Sequence, residues 1–464
     1  MKQALRLSVV KWLNVIAVAV PFIAVWFLYY ADRLNFHVGY QVRFMVLALY
    51  FACYLFFTKT YDALLISASH LRDMLIGQLL SVLLTDTLMF AVLWILNYLF
   101  PPILPALGCL LMQGVIAFLW CTESRKWYFA HYPPQKTLVL YDRREGIEEL
   151  ISEYRLEKNF DVQKVLTAEE FLRDPSLAEG FETVFLSGVH SHERNIIIKH
   201  CVLMGITAFV IPGLGDTVMS GAQRQHLLHL PMLRVQRFAP DLFYRFIKRG
   251  FDIAFSLFLI LLLSPLMLVL FFLIRRDGGP ALYRQCRLTR NGKEFCICKF
   301  RSMRVDAEKD GVARLSTGEN DERITPIGRF LRACRLDELP QLFNILEGSM
   351  SFVGPRPERP EIAAQYEQQM PEFRLRLQCK AGLTGYAQVY GKYNTTPYDK
   401  LNMDLMYISH AGPAEDIRIL FATIGILFSK ESTEGIGEGQ TTAMDHRNVE
   451  NHTEIENIER ISDK

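Results

Sequence analysis

Apolar positions are gathered at the front of the chain into four long runs, Trp12–Tyr30, Phe44–Phe57, Met74–Phe100 and Ile103–Trp120. A bilayer hydrocarbon core about 30 Å thick is crossed by roughly 20 helical residues, so these runs predict four membrane helices, the second short and completed by flanking aromatics. A cleaved signal peptide would explain the first run only; three more spans follow it, and no small-residue cleavage site stands out after Tyr30. Lys2, Arg6 and Lys11 precede the first run, Lys59 and Arg72 lie between the second and third, and Arg125 and Lys126 follow the fourth, while Phe100–Pro102 carries no charge. That asymmetry puts both ends of the bundle in the cytoplasm. Asp86, an acid in the third run without an evident basic partner, reads as a residue of a helix contact or water defect rather than a transport path.

From Lys136 the pattern shortens. Strand-like runs at Thr137–Tyr141, Thr183–Leu186 and Ala208–Ile211 alternate with helical stretches at Ile147–Tyr154 and Ile196–Met204, the rhythm of a parallel α/β unit. A dinucleotide site would need a glycine-rich turn after the first strand, where this chain has Asp142, Arg143, Arg144 and Glu145. Gly213 and Gly215 follow the last strand, but Val218 stands in the place of a third glycine. A regulatory or assembly module is expected, and His190, His192 and Glu193 read as a solvated polar turn.

A fifth apolar run, Ile253–Ile274, is interrupted at its centre by Ser264 and Pro265 and flanked at both ends by bases: Arg245, Lys248 and Arg249 before, Arg275 and Arg276 after. Proline removes a helical donor and clashes with the preceding turn, so a kink is expected there. Hydropathy alone favours a spanning helix; two basic flanks favour both ends on the cytoplasmic side. Beyond it come a turn at Asn291–Gly292, a strand over Glu294–Phe300 that leads into Lys299, Arg301 and Met303, then Asp321–Thr325, Leu336–Gln341 and Gly354–Glu358. Pro340 fits only the first turn of a helix, which puts Asp337 and Glu338 at the start of a helix running through Leu346. Adjacent carboxylates repel, can share a divalent cation through oxygen and leave one oxygen free to act on a phosphoryl group, while Lys299, Arg301, Arg323 and Arg356 could neutralise a diphosphate. By spacing alone this is a weak signal, since helices commonly begin with acids.

Composition narrows the classes. The 464 residues are 50% hydrophobic and 22% charged, too apolar for disorder and too long for one small core. With 51 Lys+Arg against 49 Asp+Glu the formal charge is +2, which offers no global field for nucleic acid. The nine cysteines are scattered and odd in number, so reduced thiols are expected; Cys296 and Cys298, one residue apart, have no second Cys/His pair nearby to complete a zinc site.

The segments KFRSM, DERIT, RLDELPQL, SFVGPRPE, AGLTGYAQVYGKYN and YDKLNMDLMYI, spread over about Tyr244 to Gly435, resemble the large monotopic phosphoglycosyl transferases, the bacterial sugar transferases that attach hexose 1-phosphate to undecaprenyl phosphate. The four spans and the middle unit resemble the longer members of that family by architecture more than by motif. The fold implied is a membrane protein with a four-helix transmembrane bundle (1–123), a Rossmann-like α/β middle domain without a cofactor fingerprint (124–243) and an α/β monotopic catalytic domain (244–438), followed by a tail (439–464) polar enough to be disordered. Its re-entrant helix, 253–274, would break at Ser264 and Pro265 and return the active site to the cytoplasmic face of the bacterial inner membrane.

The resemblance also implies roles. Asp337 would be the nucleophile on the β-phosphate of a UDP-hexose, releasing UMP; Glu338 would help it hold magnesium or position the reacting groups. Lys299, Arg301, Arg323, Arg356 between Pro355 and Pro357, and Asp404 would belong to the substrate site. The lipid acceptor would take the phosphosugar in a second displacement, giving undecaprenyl-diphosphate-hexose for exopolysaccharide, capsule or O-antigen synthesis. Nucleic acid is not expected as a partner, and a homodimer stays open. Two rivals are a conventional membrane glycosyltransferase, which would release UDP, and a non-catalytic scaffold, against which the complete acidic pair argues.

Overall fold

A computed structural model describes residues 2–33, 39–66, 71–142, 146–153, 156–227, 229–276, 278–304, 323–391 and 395–427. The expected tail, 439–464, lies outside the described residues, as do Arg143–Glu145 and the acids Asp321 and Glu322 of the DERIT segment. The chain divides into two compact units, Met1–Ile211 and Pro212–Lys464.

In the first unit the apolar runs form α1 (Lys2–Val25, continued by a π-turn Trp26–Tyr30), α2 (Tyr40–Thr60), α3 (Leu71–Asn97) and α4 (Ile103–His131). Each is long and apolar enough to cross a membrane. The helices bury polar layers between them: the Tyr54 hydroxyl lies 2.9 Å from Asn14 Oδ1 and 2.8 Å from Gln78 Oε1, which share its one proton, and Gln113 Nε2 donates to the Tyr50 hydroxyl at 2.9 Å. Asp86 follows the buried Thr85 on α3, and its Oδ1 is shielded from solvent.

The middle region builds β1 (Gln135–Tyr141), α5 (Ile147–Glu153), β2 (Phe160–Thr167), α6 (Ala168–Arg173), β3 (Thr183–Ser187), α7 (Ser191–Met204) and β4 (Thr207–Val210). The four strands make one parallel sheet in the order β2-β1-β3-β4, a doubly wound arrangement whose order reverses between β1 and β3. Leu138, Leu140, Val184 and Leu186 are buried on one face of the sheet and Val139, packed with Ile147 and Ile151, on the other, as parallel strands covered by helices require. The strand over Phe160–Thr167 is absent from the sequence reading; its charged, half-exposed pattern (FDVQKVLT) is that of an edge strand.

The second unit opens with α8 (Leu214–Ser220) and the antiparallel pair β5 (Gln223–Leu227) and β6 (Leu230–Arg234). Asn402 fastens this opening segment, donating to the Pro212 carbonyl at 2.6 Å and bonding the Thr217 hydroxyl. Then come α9 (Leu242–Arg275), the hairpin β7 (Leu282–Leu288) and β8 (Glu294–Phe300), α10 (Pro326–Ala333), α11 (Gln341–Glu347), β9 (Met350–Val353), α12 (Pro360–Gln369), β10 (Ala381–Thr384), α13 (Tyr386–Tyr390), α14 (Pro397–His410) and α15 (Pro413–Leu427). The core is Ile297, Leu342, Ile345, Met350, Phe352, Leu405 and Tyr407, where β8, α11, β9 and α14 meet.

α9 continues through Ser264 and Pro265 as one helix of 34 residues, without the break expected there. Proline at that position deprives the Leu261 carbonyl of its usual N–H, and the Ser264 hydroxyl supplies a replacement at 2.9 Å. Near its start α9 is locked to the α/β core: Arg249 donates to the carbonyls of Ile345 and Leu346 at 2.7 and 2.8 Å, capping α11, and the buried Asp252 accepts from the Ser351 hydroxyl and the Phe352 amide, each at 3.1 Å. At its far end Leu270 and Ile274 pack with Ala281, Phe300 and Leu331. Between these anchors Leu257, Phe258, Leu261, Leu262, Leu268 and Val269 are exposed.

Candidate active site

The approach to the acidic pair is set by backbone geometry. Thr325 caps α10, its hydroxyl accepting from the Gly328 amide at 3.0 Å, and Pro326 occupies the first turn. After α10 the chain reverses through Arg335, in the left-handed region at φ 54, ψ 22. A non-glycine residue there costs roughly 1–2 kcal/mol. The reversal delivers Leu336–Glu338 as a 3-10 turn, and Pro340 then leads into α11. The acids therefore sit in a separate turn just ahead of the helix they were expected to begin.

Lys299, at the end of β8, reaches this turn, its Nζ donating to Glu338 Oε1 at 2.8 Å. Arg356 approaches the same oxygen to 3.8 Å, with its side chain 49% exposed while that of Glu338 is 17% exposed. Pro355 and Pro357 on either side of it are buried, so a rigid loop presents one exposed guanidinium. That loop is held by close backbone crossing: Gly354 N donates to the Thr384 carbonyl and Gly382 N to the Pro355 carbonyl, each at 2.9 Å. A Cβ on Gly382 would lie 2.2 Å from Gly354 N, which is why only glycine serves there. A narrow pocket of about 10 Å³, room for little more than one water, adjoins Pro355 and Arg356 and is lined also by Leu288, Thr289, Phe373 and Arg376.

The neighbouring carboxyls diverge. Burial, then repulsion from Glu338, pushes Asp337 up to about 6, with Lys299 and Arg332 pulling partly the other way. Burial opposes ionisation of Glu338 as well, but Lys299 and Arg356 overcome it and hold that carboxyl down at about 2. Glu338 is the settled counter-ion; Asp337 is the more basic carboxylate, ionised at neutral pH, and so the better nucleophile of the two.

The other expected site residues divide. Asp404 on α14 is paired with Arg376 at 2.7 Å, their side chains 1% and 6% exposed. Arg376 also donates to the Arg356 carbonyl at 2.8 Å and lies 3.6 Å from Glu358, so Asp404 is linked to the exposed guanidinium through the backbone. Arg301 is buried, its Nε on the Pro280 carbonyl at 2.7 Å and its Nη2 on the Ile274 carbonyl at 3.2 Å; it closes the far end of α9. The Arg323 carbonyl accepts from Arg304 N at 2.9 Å, beside the single bridge between Met303 and Ile324. The structure therefore gathers Asp337, Glu338, Lys299 and Arg356 in one cluster, with Arg301 at a helix terminus and Asp404 beneath the loop. Sequence reasoning missed Arg376, Arg332 and Asn344, whose side chain joins the Cys298 amide and Cys296 carbonyl, both at 2.9 Å, to α11. Nothing local marks these residues. Asp252 did leave a signal, an acid at the threshold of an apolar run.

The model of the bacterial sugar transferase family matches residues 243–430, a span that contains this cluster. The exopolysaccharide production protein PSS of Rhizobium leguminosarum is 41% identical over 188 residues, 38% of this chain and 93% of that protein. The chain belongs to the bacterial sugar transferase family. It is also similar to the undecaprenyl-phosphate galactose phosphotransferase of Salmonella typhimurium, 39% identical over 267 residues, 54% of each chain. With the UDP-glucose:undecaprenyl-phosphate glucose-1-phosphate transferase of Escherichia coli it is 39% identical over 186 residues, 39% of this chain and 40% of that one. The chain spans about half to three fifths of the length of the longer curated relatives it matches.

Proposed function

We propose that this sugar transferase moves hexose 1-phosphate from a UDP-hexose to undecaprenyl phosphate, releasing UMP and leaving a lipid diphosphate-linked hexose, the first membrane step of polysaccharide synthesis. The observation that carries the reading is the unequal acidic pair: one carboxylate neutralised by Lys299, the other left basic, beside an exposed guanidinium. Asp337 attacks the β-phosphorus, the bond from that phosphorus to the bridging oxygen breaks, and UMP leaves with the electron pair. The lipid phosphate oxygen then attacks the phosphosugar on Asp337 and restores the carboxylate. Arg356 and Lys299 neutralise phosphoryl oxygens through both displacements.

A divalent cation suits this donor set. Magnesium usually takes one or two carboxylates and completes its octahedron with water and substrate phosphates, and the excess negative charge that raises Asp337 beside Glu338 is what a cation would relieve. Among the described residues no group of three or more Asp, Glu, His or Cys is assembled as a protein cage. Asp337 and Glu338 would be its protein ligands, and the ion would supply charge neutralisation on the diphosphate.

The re-entrant topology is part of the proposal, with the catalytic unit on the cytoplasmic face of the inner membrane. Its support is that both ends of α9 are fastened to the same unit, Arg249 to α11 and Ile274 to Arg301, while the residues between present an apolar face. A helix spanning the bilayer would set its ends on opposite sides.

The test is the nucleotide released. Full-length protein given a panel of UDP-sugars, undecaprenyl phosphate and magnesium is expected to release UMP in step with the lipid product. Stoichiometric UDP, or a lipid carrying a single phosphate, would move the chain to the conventional glycosyltransferase class.

A further inference from the structure

Cys286 on β7 and Cys296 on β8 stand directly opposite each other in the antiparallel register, with both residues exposed and their sulfurs 3.8 Å apart. Facing residues of an antiparallel pair have Cβ atoms about 4.5–5.5 Å apart, and a disulfide needs roughly 3.5–4.5 Å, so a small inward movement of the strands and a rotation of the thiols would join them. The hairpin is short and its turn is set by Asn291 and Gly292, at φ 62 and φ 72, which keeps the two cysteines in register. The same strand β8 ends at Lys299, whose ammonium holds Glu338.

We propose that Cys286 and Cys296 are a reversible thiol–disulfide site whose closure is felt at Lys299. A low-molecular-weight disulfide such as oxidised glutathione is the oxidant. One cysteine thiolate attacks a glutathione sulfur and expels the first glutathione thiolate; the second cysteine thiolate attacks the mixed disulfide and expels the other. Two protein thiols are oxidised, one glutathione disulfide is reduced to two thiols, and the two protons lost by the cysteines pass to the departing thiolates. Cross-strand bonds at an exposed hairpin belong to the labile class, so a reducing cytoplasm keeps this pair open and an oxidising shift closes it. The attacking species is the thiolate, so closure speeds up as pH rises.

Detergent-solubilised full-length protein is treated with oxidised glutathione at pH 8, alkylated and digested with trypsin. The expected product is the peptide Gln285–Arg287 joined to Glu294–Lys299, persisting in Cys298→Ser and lost in Cys286→Ser and in Cys296→Ser. Glutathione adducts without the joined peptide, or a joined peptide that survives Cys296→Ser, would overturn the site. The coupling to Lys299 rests on the transferase reading and is measured separately. UMP release is expected to fall at least threefold in the joined form, to recover with dithiothreitol and to be insensitive to oxidant in Cys286→Ser. Unchanged turnover of fully joined protein would overturn the coupling, while protein that releases no UMP even in its never-oxidised, reduced form would count against the transferase reading alone.

Discussion

Two acid–base pairs lie on either side of the Arg356 loop. In both, a cation lies under 3 Å from a carboxylate: Lys299 from Glu338 at 2.8 Å and Arg376 from Asp404 at 2.7 Å. Asp337 in the first cluster and Asp404 in the second are both pushed up to about 6 by burial. Surroundings separate them. Arg376 and Asp404 are sealed, and Arg376 spends its remaining donors on Glu358 and on a backbone carbonyl. The first cluster keeps a second carboxylate beside a half-exposed guanidinium. A buried pair is structural when its charges face only each other and the interior, and becomes chemical when one charge is left to meet a ligand.

That distinction is most sharply tested by Asp337→Asn. Turnover should fall by about 10³ or more with the melting temperature nearly unchanged, because the substitution removes the proposed nucleophile without emptying a packed site. A variant retaining a tenth of wild-type UMP release would move the nucleophile elsewhere. Arg376→Met should behave in the opposite way: leaving Asp404 buried without its partner costs about 3–5 kcal/mol. Thermal unfolding of the solubilised protein would register this as a lower midpoint. A stable Arg376→Met protein with only its rate reduced would bring the sealed pair into the chemistry.

The pH profile refines the comparison. Asp337 must be ionised to attack, so kcat/KM should fall about tenfold per pH unit below about 6, and Glu338, held at about 2, should add no inflection above pH 4. A limiting slope of one assigns the loss to Asp337, whereas a slope of two means that protonation of Asp404 in the same range also matters. The smallest effect expected is that of Arg356→Ala. Removing one charge-assisted contact at an exposed site should raise KM for the UDP-sugar about tenfold with stability unchanged. An unaltered KM would remove Arg356 from the substrate site.

Much of this protein is legible along the chain. Apolar runs of spanning length give the four long N-terminal helices, and period and turn residues give the parallel α/β sheet, because apolar faces that must leave water, or lie under helices, leave a linear trace in hydropathy. Family motifs point to Asp337, Glu338, Lys299 and Arg356, because their ordered neighbours, including the glycines at 354 and 382, record close backbone approaches that tolerate no side chain. Other features carry no such trace. KFRSM holds two bases two residues apart, and only the folded chain sends Lys299 to Glu338 and Arg301 to the end of α9. The different burdens of Asp337 and Glu338 likewise depend on cations brought from β8 and from the Arg356 loop. Arg376 has no motif, and it matters because α14 sets Asp404 against it. Local pattern is written in sequence neighbours, whereas pairing and desolvation of charge depend on residues that are distant in the chain and adjacent only after folding.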